Sequence, residues 1–452
     1  MSLNKRSVVF FIIILFTCLW RFGYAQTAPQ KIEELISAYA DLYKFNGTVL
    51  VAEKGKIIFS KGYGLKNAKD SSRNDVNTIY QLGSITKQFT SAIILQLAEQ
   101  KKLSLDDRLS KYFPDFPKGD SITIRHLLTH SSGIYNYTND QKYMASETTK
   151  PSDREKMIAL FRDKPLNFSP GSKYSYSNSG YLLLGYIIEI VTGKPYEKVV
   201  REKIFIPLKM SHSGFDFSHL NNTDKATGYT VFTQFVKMPG SIVDSSVAYA
   251  AGAMYSTVGD LFKWHTGLQQ YKILTKSSTE AAYTPYLFHY GFGWAMDTLF
   301  EKKIVEHGGG IIGFNTIISR VPSDDVAVIL LSNMNVAGLD KLSHSLLAVL
   351  YNKPYEIPKP KTEVELNESV LKEYVGEYEL APGFILKITL AGKRLKVQAT
   401  GQPAYDLFAE SNDRFFLKVV EATATFMKGP DGKVEKMLWK QQGSERPAKK
   451  IK

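Results

Sequence analysis

Pro354, Pro358 and Pro360 stand within seven residues. Proline has no backbone N–H, fixes its own φ and drives the residue before it out of the helical region. Neither a helix nor a paired strand can run through that stretch. The sequence therefore predicts an extended linker over 354–364 and separate folded units on either side.

The two sides differ in texture. Upstream, Ile32, Leu35, Ile36, Tyr39, Leu42 and Tyr43 follow a helical period. Residues 47–52 and 57–63 read as strands joined through Glu53-Lys54-Gly55-Lys56, a β-hairpin. A long helix is expected from about Ser84 to Lys102, and another over 181–191, stopped by Thr192-Gly193-Lys194-Pro195. Strands return at 304–307, 316–320 and 326–331, followed by a helix over 339–351. Downstream of the linker, short strands are expected at 374–378, 385–389, 395–400, 414–420, 423–428 and 434–439. Explicit turns stand at Ala391-Gly392-Lys393 and Gly429-Pro430-Asp431-Gly432. That pattern predicts a small antiparallel sheet or barrel over 365–452.

Lys5 and Arg6 precede an apolar run over 8–20, and Phe22-Gly23-Tyr24-Ala25-Gln26 follows. This is a secretory signal pattern with cleavage expected after Ala25, and the run is shorter than the ~20 residues of a spanning helix. The mature chain is then 26–452, secreted or periplasmic. Cys18, the single cysteine, lies inside the apolar run. Leu15-Phe16-Thr17-Cys18 is a poor lipobox, because Phe16 is bulky. Loss of residues 1–25 leaves no thiol, so neither a disulfide framework nor a Cys-based zinc module is available. It also removes Lys5, Arg6 and Arg21 and no acidic residue, lowering the formal charge of +13 by three. The remaining basic residues are scattered, which gives nucleic acid no footprint. A loose association with an anionic envelope is what the charge still permits. Lys449-Lys450-Ile451-Lys452 reads as a solvated tail.

The chain has no H-E-x-x-H, P-loop, G-x-G-x-x-G after a strand, or G-x-S-x-G. His126 and His130 have i, i+4 spacing, but no third ligand stands nearby and the flanking leucines read as core, so no metal is expected. Chemistry enters at Gly83-Ser84-Ile85-Thr86-Lys87. Ser84 and Lys87 share a helical face, at the end where free N–H groups and the positive dipole point outward. A serine hydroxyl needs a base, and a lysine with a lowered pKa can serve. Tyr176 and Asn178 form a Y-x-N triplet before the second buried helix. The tyrosine can shuttle a proton, and the asparagine can orient the lysine or bind a substrate amide. Glu306-His307-Gly308-Gly309-Gly310 ends a strand. Its glycines let a substrate lie along the strand edge, and the N–H of Gly310 can complete an oxyanion hole with that of Ser84.

This ordered set, S-x-x-K at 84–87, Y-x-N at 176–178 and H-x-G at 307–309, resembles the serine β-lactamase and penicillin-binding-protein superfamily in its class C-like branch, that of S12-type peptidases. Flanking segments are similar too, among them Leu128-Thr129-His130-Ser131-Ser132-Gly133, Phe168-Ser169-Pro170-Gly171 and Tyr290-Gly291-Phe292-Gly293-Trp294. The likeness covers about 30–350, and 365–452 is similar to the lipocalin-like barrel appended to some of these proteins. The resemblance implies an α+β, β-lactamase/transpeptidase-like fold: an antiparallel sheet flanked by helices plus an all-helical lobe, followed by a small antiparallel β-barrel. It implies an acyl-enzyme on Ser84 with Lys87 and Tyr176 as general base. Asn178, His307 and Gly309 would bind substrate, and the N–H groups of Ser84 and Gly310 would hold the oxyanion. No cofactor is implied. His307 replaces the lysine that penicillin-directed members use for the substrate carboxylate. That departure favours a peptidase or esterase acting on a peptide, D-amino-acid amide or ester, with β-lactamase and DD-carboxypeptidase action still open. The alternative is a catalytically silent binding or sensor protein with the same cleft. Oligomeric state is not legible.

Overall fold

The structure is a computed structural model and describes residues 26–336, 338–420, 422–441 and 444–452. The expected signal segment and Cys18 lie outside the described residues.

The N-terminal hairpin pairs β1 (Gly47–Glu53) with β2 (Lys56–Tyr63). Its turn places Lys54 and Gly55 at φ 52° and 72°, the twist that a two-residue hairpin loop requires. Four later strands complete the sheet: β3 (Ala295–Leu299), β4 (Lys302–Ile311), β5 (Phe314–Val321) and β6 (Val326–Ser332). The order is β2-β1-β6-β5-β4-β3, antiparallel throughout. Pairing of β1 with β6, with Val51 opposite Val328, brings the two ends of this part of the chain together.

Both faces of the central strands are buried, so they read as nearly continuous apolar runs. Val49, Val51, Val328 and Leu330 face helices α1 (Ala28–Asp41) and α6 (Leu339–Leu350), meeting Ile32, Leu35 and Leu346. Leu50, Ala52, Ile329 and Leu331 face the helical lobe. That lobe is built around α2 (Thr86–Glu99), α3 (Asn178–Thr192), α4 (Ser245–Gly252) and α5 (Val258–Gln269). Gly193 at φ 66° ends α3 where the Thr-Gly-Lys-Pro signal stands. The second expected helix start shifts: Gly83–Ile85 form a 3-10 turn, and α2 proper begins at Thr86.

Residues 353–367 carry neither helix nor strand. Tyr355 and Ile357 pack on the core beneath α6, and Leu366 packs on the next core. After a short helix, α7 (Glu368–Glu373), eight strands close a barrel. They are β7 (Gly376–Ala381), β8 (Phe384–Ala391), β9 (Arg394–Ala399), β10 (Ala404–Ala409), β11 (Arg414–Phe416), β12 (Ala422–Lys428), β13 (Val434–Gln441) and β14 (Ser444–Lys450).

Two of these strands were not expected. β10 interrupts its apolar pattern with Tyr405-Asp406. The basic tail is not a solvated end but β14, which pairs with β13 and with β7 and closes the barrel. Only Ala448 of β14 is buried. Its placement rests on backbone ladder bonds, which leave no hydrophobic signature in the sequence.

Candidate active site

Three chain segments converge at Ser84. The first is the turn that carries it. Gly83 sits at φ +55°, and a Cβ there would lie 2.9 Å from the Gly310 nitrogen. Only glycine permits both that backbone and that approach. The second is β4, whose pairing with β3 stops at Glu306. Beyond it, Ile311 pairs with Phe314 across a two-residue turn. Peptide groups alternate along an antiparallel strand, so Gly308 and Gly310 point away from β5, toward Ser84. The third is the N-terminus of α3, with Tyr176 just before it and Asn178 as its first residue.

Lys87 is 0% exposed on the inner face of α2. Its Nζ lies 2.9 Å from Ser84 Oγ, 2.8 Å from Asn178 Oδ1 and 2.8 Å from the Ala251 carbonyl. Asn178 Nδ2 donates to Thr138 Oγ1 at 3.2 Å, with Oδ1 turned to the lysine. Burial holds the Lys87 ammonium well below its ordinary pKa. A neutral amine has two N–H groups and one lone pair. In the neutral form that burial favours, Asn178 and Ala251 accept the two N–H groups and the lone pair is left facing the Ser84 hydroxyl. Tyr176 donates its phenol proton to Ser84 Oγ at 2.8 Å. Burial raises its pKa above the usual phenol value, so this oxygen keeps its proton in the resting site.

The Ala251 carbonyl is available because α4 is kinked: Tyr249 has φ 38° and ψ −133°. The kink directs the Ala250 carbonyl to Thr90 Oγ1 at 2.7 Å and that of Ala251 to Lys87. Gly185 lets α3 pass beneath it, since a Cβ there would meet Ala250 Cβ at 2.4 Å. Nothing in the sequence pattern marked Ala251 as a partner of the lysine.

His307 is buried, and both its nitrogens are engaged. Nδ1 lies 2.6 Å from the Gly308 carbonyl, which can only accept, so Nδ1 carries the proton. Nε2 therefore accepts from the Tyr290 hydroxyl at 2.8 Å. Burial, the largest cause, pushes its pKa down to about 4, so the ring is neutral at pH 7. Gly309 stands under the site rather than in it, because a Cβ would lie 1.9 Å from the Leu82 carbonyl. The i, i+4 spacing of His126 and His130 does not place them on one helix. The helix Ile124–Leu128 ends before His130, which takes φ 55°, and His126 Nδ1 caps it by accepting Thr123 N–H at 3.2 Å.

An aromatic wall extends from this centre to the rim. Tyr290 lies 5.9 Å from Tyr174, which stacks on Phe288 at 5.1 Å and 22°. Phe288 is 76% exposed. It and His289 take φ 48° and 57° in a tight turn bridged by Leu287 and Tyr290. The sequence carries no turn glycine there to announce it.

The sequence profile described as "Beta-lactamase" matches residues 32–352, and "Domain of unknown function (DUF3471)" matches 360–449. The chain is 29% identical over 457 residues to "Penicillin-binding protein 4*" of Bacillus subtilis (strain 168), covering 94% of this chain and 100% of that protein. It is 29% identical over 349 residues to "Teichoic acid D-alanine hydrolase" of Staphylococcus aureus, covering 73% and 83%. The structure of the octameric penicillin-binding protein homologue from Pyrococcus abyssi is similar with a TM-score of 0.65 at 27% identity, covering 93% of this chain and 99% of that one.

Proposed function

The chain belongs to the Beta-lactamase family, and on that footing we propose that it is an exported serine hydrolase that opens an amide or ester through an acyl-enzyme on Ser84. The observation that carries this reading is the bonding of Lys87. Its two N–H groups are taken by Asn178 and Ala251, and its remaining valence faces Ser84 Oγ.

In the first step the Ser84 hydroxyl proton passes to Lys87 Nζ while Oγ bonds to the substrate carbonyl carbon. The carbonyl oxygen becomes the oxyanion, held by the N–H groups of Ser84 and Gly310. Such a donor is typically worth ~3–4 kcal/mol in the transition state. The bond to the leaving nitrogen or oxygen then breaks, and that atom takes the Tyr176 proton. Lys87 returns its proton to the tyrosine oxygen. Water repeats the sequence on the ester and releases the acid. Lys87 is thus the base and Tyr176 the proton donor, a division of labour that their opposite pKa shifts support. Asn178 orients Lys87.

Because Tyr176 serves the leaving group, that group lies on the side of Tyr290, His307 and Tyr174. His307 there is neutral, with both nitrogens spent. It offers nothing to a carboxylate, and the nearby wall is aromatic. This supports a D-amino-acid amide, ester or peptide bond with an uncharged leaving group over a penicillin, which carries a carboxylate. The name of the staphylococcal relative, a teichoic acid D-alanine hydrolase, agrees with D-amino-acid chemistry. The signal segment 1–25 supports export, the basic charge supports loose envelope association, and 26–353, 354–364 and 365–452 are taken as hydrolase unit, linker and barrel. The test is a kinetic panel of nitrocefin, p-nitrophenyl esters, and D- and L-aminoacyl amides with and without a free carboxylate on the leaving group. Turnover of D-aminoacyl amides or esters lacking that carboxylate is the expected result. Preference for nitrocefin, or for the carboxylate-bearing leaving group, would overturn the assignment.

A further inference from the structure

His130 lies beneath Tyr176 and holds the chain on both sides of it. The Ser175 N–H donates to the His130 carbonyl at 2.9 Å. The Ser177 N–H donates to His130 Nδ1 at 3.2 Å. The imidazole ring also packs against the Tyr176 ring, with centroids 4.1 Å apart and planes tilted by 38°. Residues 175 and 177 are thus tied to one residue, and the side chain between them rests on the same residue's ring.

Local backbone geometry makes this three-point hold possible. His130 takes φ 55°, rare for a residue with a Cβ, just after the short helix has ended. An ordinary helical or extended backbone would turn carbonyl and ring in other directions. Such an outlier, held where a reaction is assigned, points to a role in that reaction. Because Nδ1 accepts, the neutral ring carries its proton on Nε2. That atom is buried and has no hydrogen-bond partner among the described residues, and the ring centroid lies 5.1 and 4.7 Å from those of Tyr181 and Tyr290. The polar capacity of the ring that is used is thus spent on Ser177.

We propose that His130 is the positioning residue for Tyr176, fixing the phenol oxygen over Ser84 Oγ so that it delivers its proton to the leaving atom. The proposal rests on the assignment of Tyr176 as proton donor. Misplacing a proton donor hurts a substrate in proportion to its need for that proton. An amide nitrogen cannot leave unprotonated, whereas p-nitrophenolate can. An aminoacyl p-nitroanilide and the matching p-nitrophenyl ester therefore separate positioning from general damage to the site.

The experiment measures both turnovers per active site, counted by fluorophosphonate labelling of Ser84, so that unfolded molecules do not enter. Tyr176→Phe is the benchmark, with amide turnover expected to fall ~100-fold and ester turnover less than ~5-fold. His130→Phe keeps a ring but cannot accept from Ser177. It is expected to reproduce the amide-selective loss at ~10- to 100-fold, with KM unchanged. His130→Asn restores an acceptor and tolerates the positive φ, and is expected to recover most of the amide rate. In the Tyr176→Phe background, His130→Phe should add nothing further to the amide-to-ester ratio. Equal loss on both substrates, full amide activity in His130→Phe, or effects that multiply in the double variant would each overturn the proposal. A Tyr176→Phe enzyme that keeps its amide rate would instead break the proton-donor assignment itself, and this inference with it.

Discussion

The cleft and the barrel solve opposite problems with the same chemistry. In the cleft, polar groups are buried. Lys87, His130 and His307 are all nearly inaccessible, and each is held by bonds from distant parts of the chain. In the barrel, the interior is apolar, with Tyr378, Leu386, Leu395, Phe415, Phe426 and Met437 at its centre. Its charges stay outside in half-exposed pairs, such as Arg394 and Lys418 with Glu363 of the preceding linker, at 2.8 and 3.1 Å. Burying polar groups costs stability unless every bond is met, so a chain gains by doing it only where the resulting shifted pKa values are used. The difference separates a region shaped for reaction from one shaped for folding.

Five measurements sharpen or break that comparison. Ser84→Ala removes the proposed nucleophile and is expected to abolish turnover and covalent labelling by a fluorophosphonate. Surviving label would place the nucleophile elsewhere. Phe426→Ala in the barrel, where Tyr374 stacks on the phenyl ring at 4.4 Å, should cost about 3–5 kcal/mol in denaturant unfolding of the barrel. It should leave kcat per labelled site unchanged, and a parallel loss of activity would show that the two regions are coupled. Lys87→Ala should slow acylation at least ~100-fold, read by stopped-flow with a chromogenic ester.

The pH dependence of stability belongs to the cleft as well. His307 titrates at about 4 in the folded chain against 6.5 for a free histidine. The unfolded state therefore binds more protons between those values, and stability rises with pH from about 4 to about 6.5. The gain is at most ~1.4 kcal/mol per pH unit. Thermal unfolding across that window should lose part of its slope in His307→Phe, and an unchanged slope would refute the buried neutral ring. Glu363→Gln should change stability by less than ~1 kcal/mol, because exposed pairs contribute little. A larger loss would mean that the barrel surface, like the cleft, depends on specific charges.

Much of this molecule is legible from one dimension. The helical period of Ile32, Leu35 and Ile36 and the nearly continuous apolar runs of β1 and β6 are local statements about which surface is buried, and the proline-rich stretch at 354–360 is a local statement about where helix and strand stop. The three motifs at 84–87, 176–178 and 307–309 were legible because reactive side chains come in few combinations. The gaps have a common cause. β14 carries one buried residue and was hidden, since ladder bonds are made by backbone that every residue has. The role given to His307 from its position in the motif did not foresee that Tyr290 and Gly308 occupy both nitrogens.

By itself the sequence determined the class of the fold, and from it alone a division of the chain and a set of candidate reacting side chains could be read, because burial patterns and reactive groups are properties of the residues themselves. Tertiary structure alone decided their protonation and aim. In the proposed mechanism Lys87 acts as a base because Asn178, 91 positions away, and Ala251, 164 positions away, accept from it in a buried setting. A pKa is a property of surroundings, and those surroundings exist only once the chain has folded.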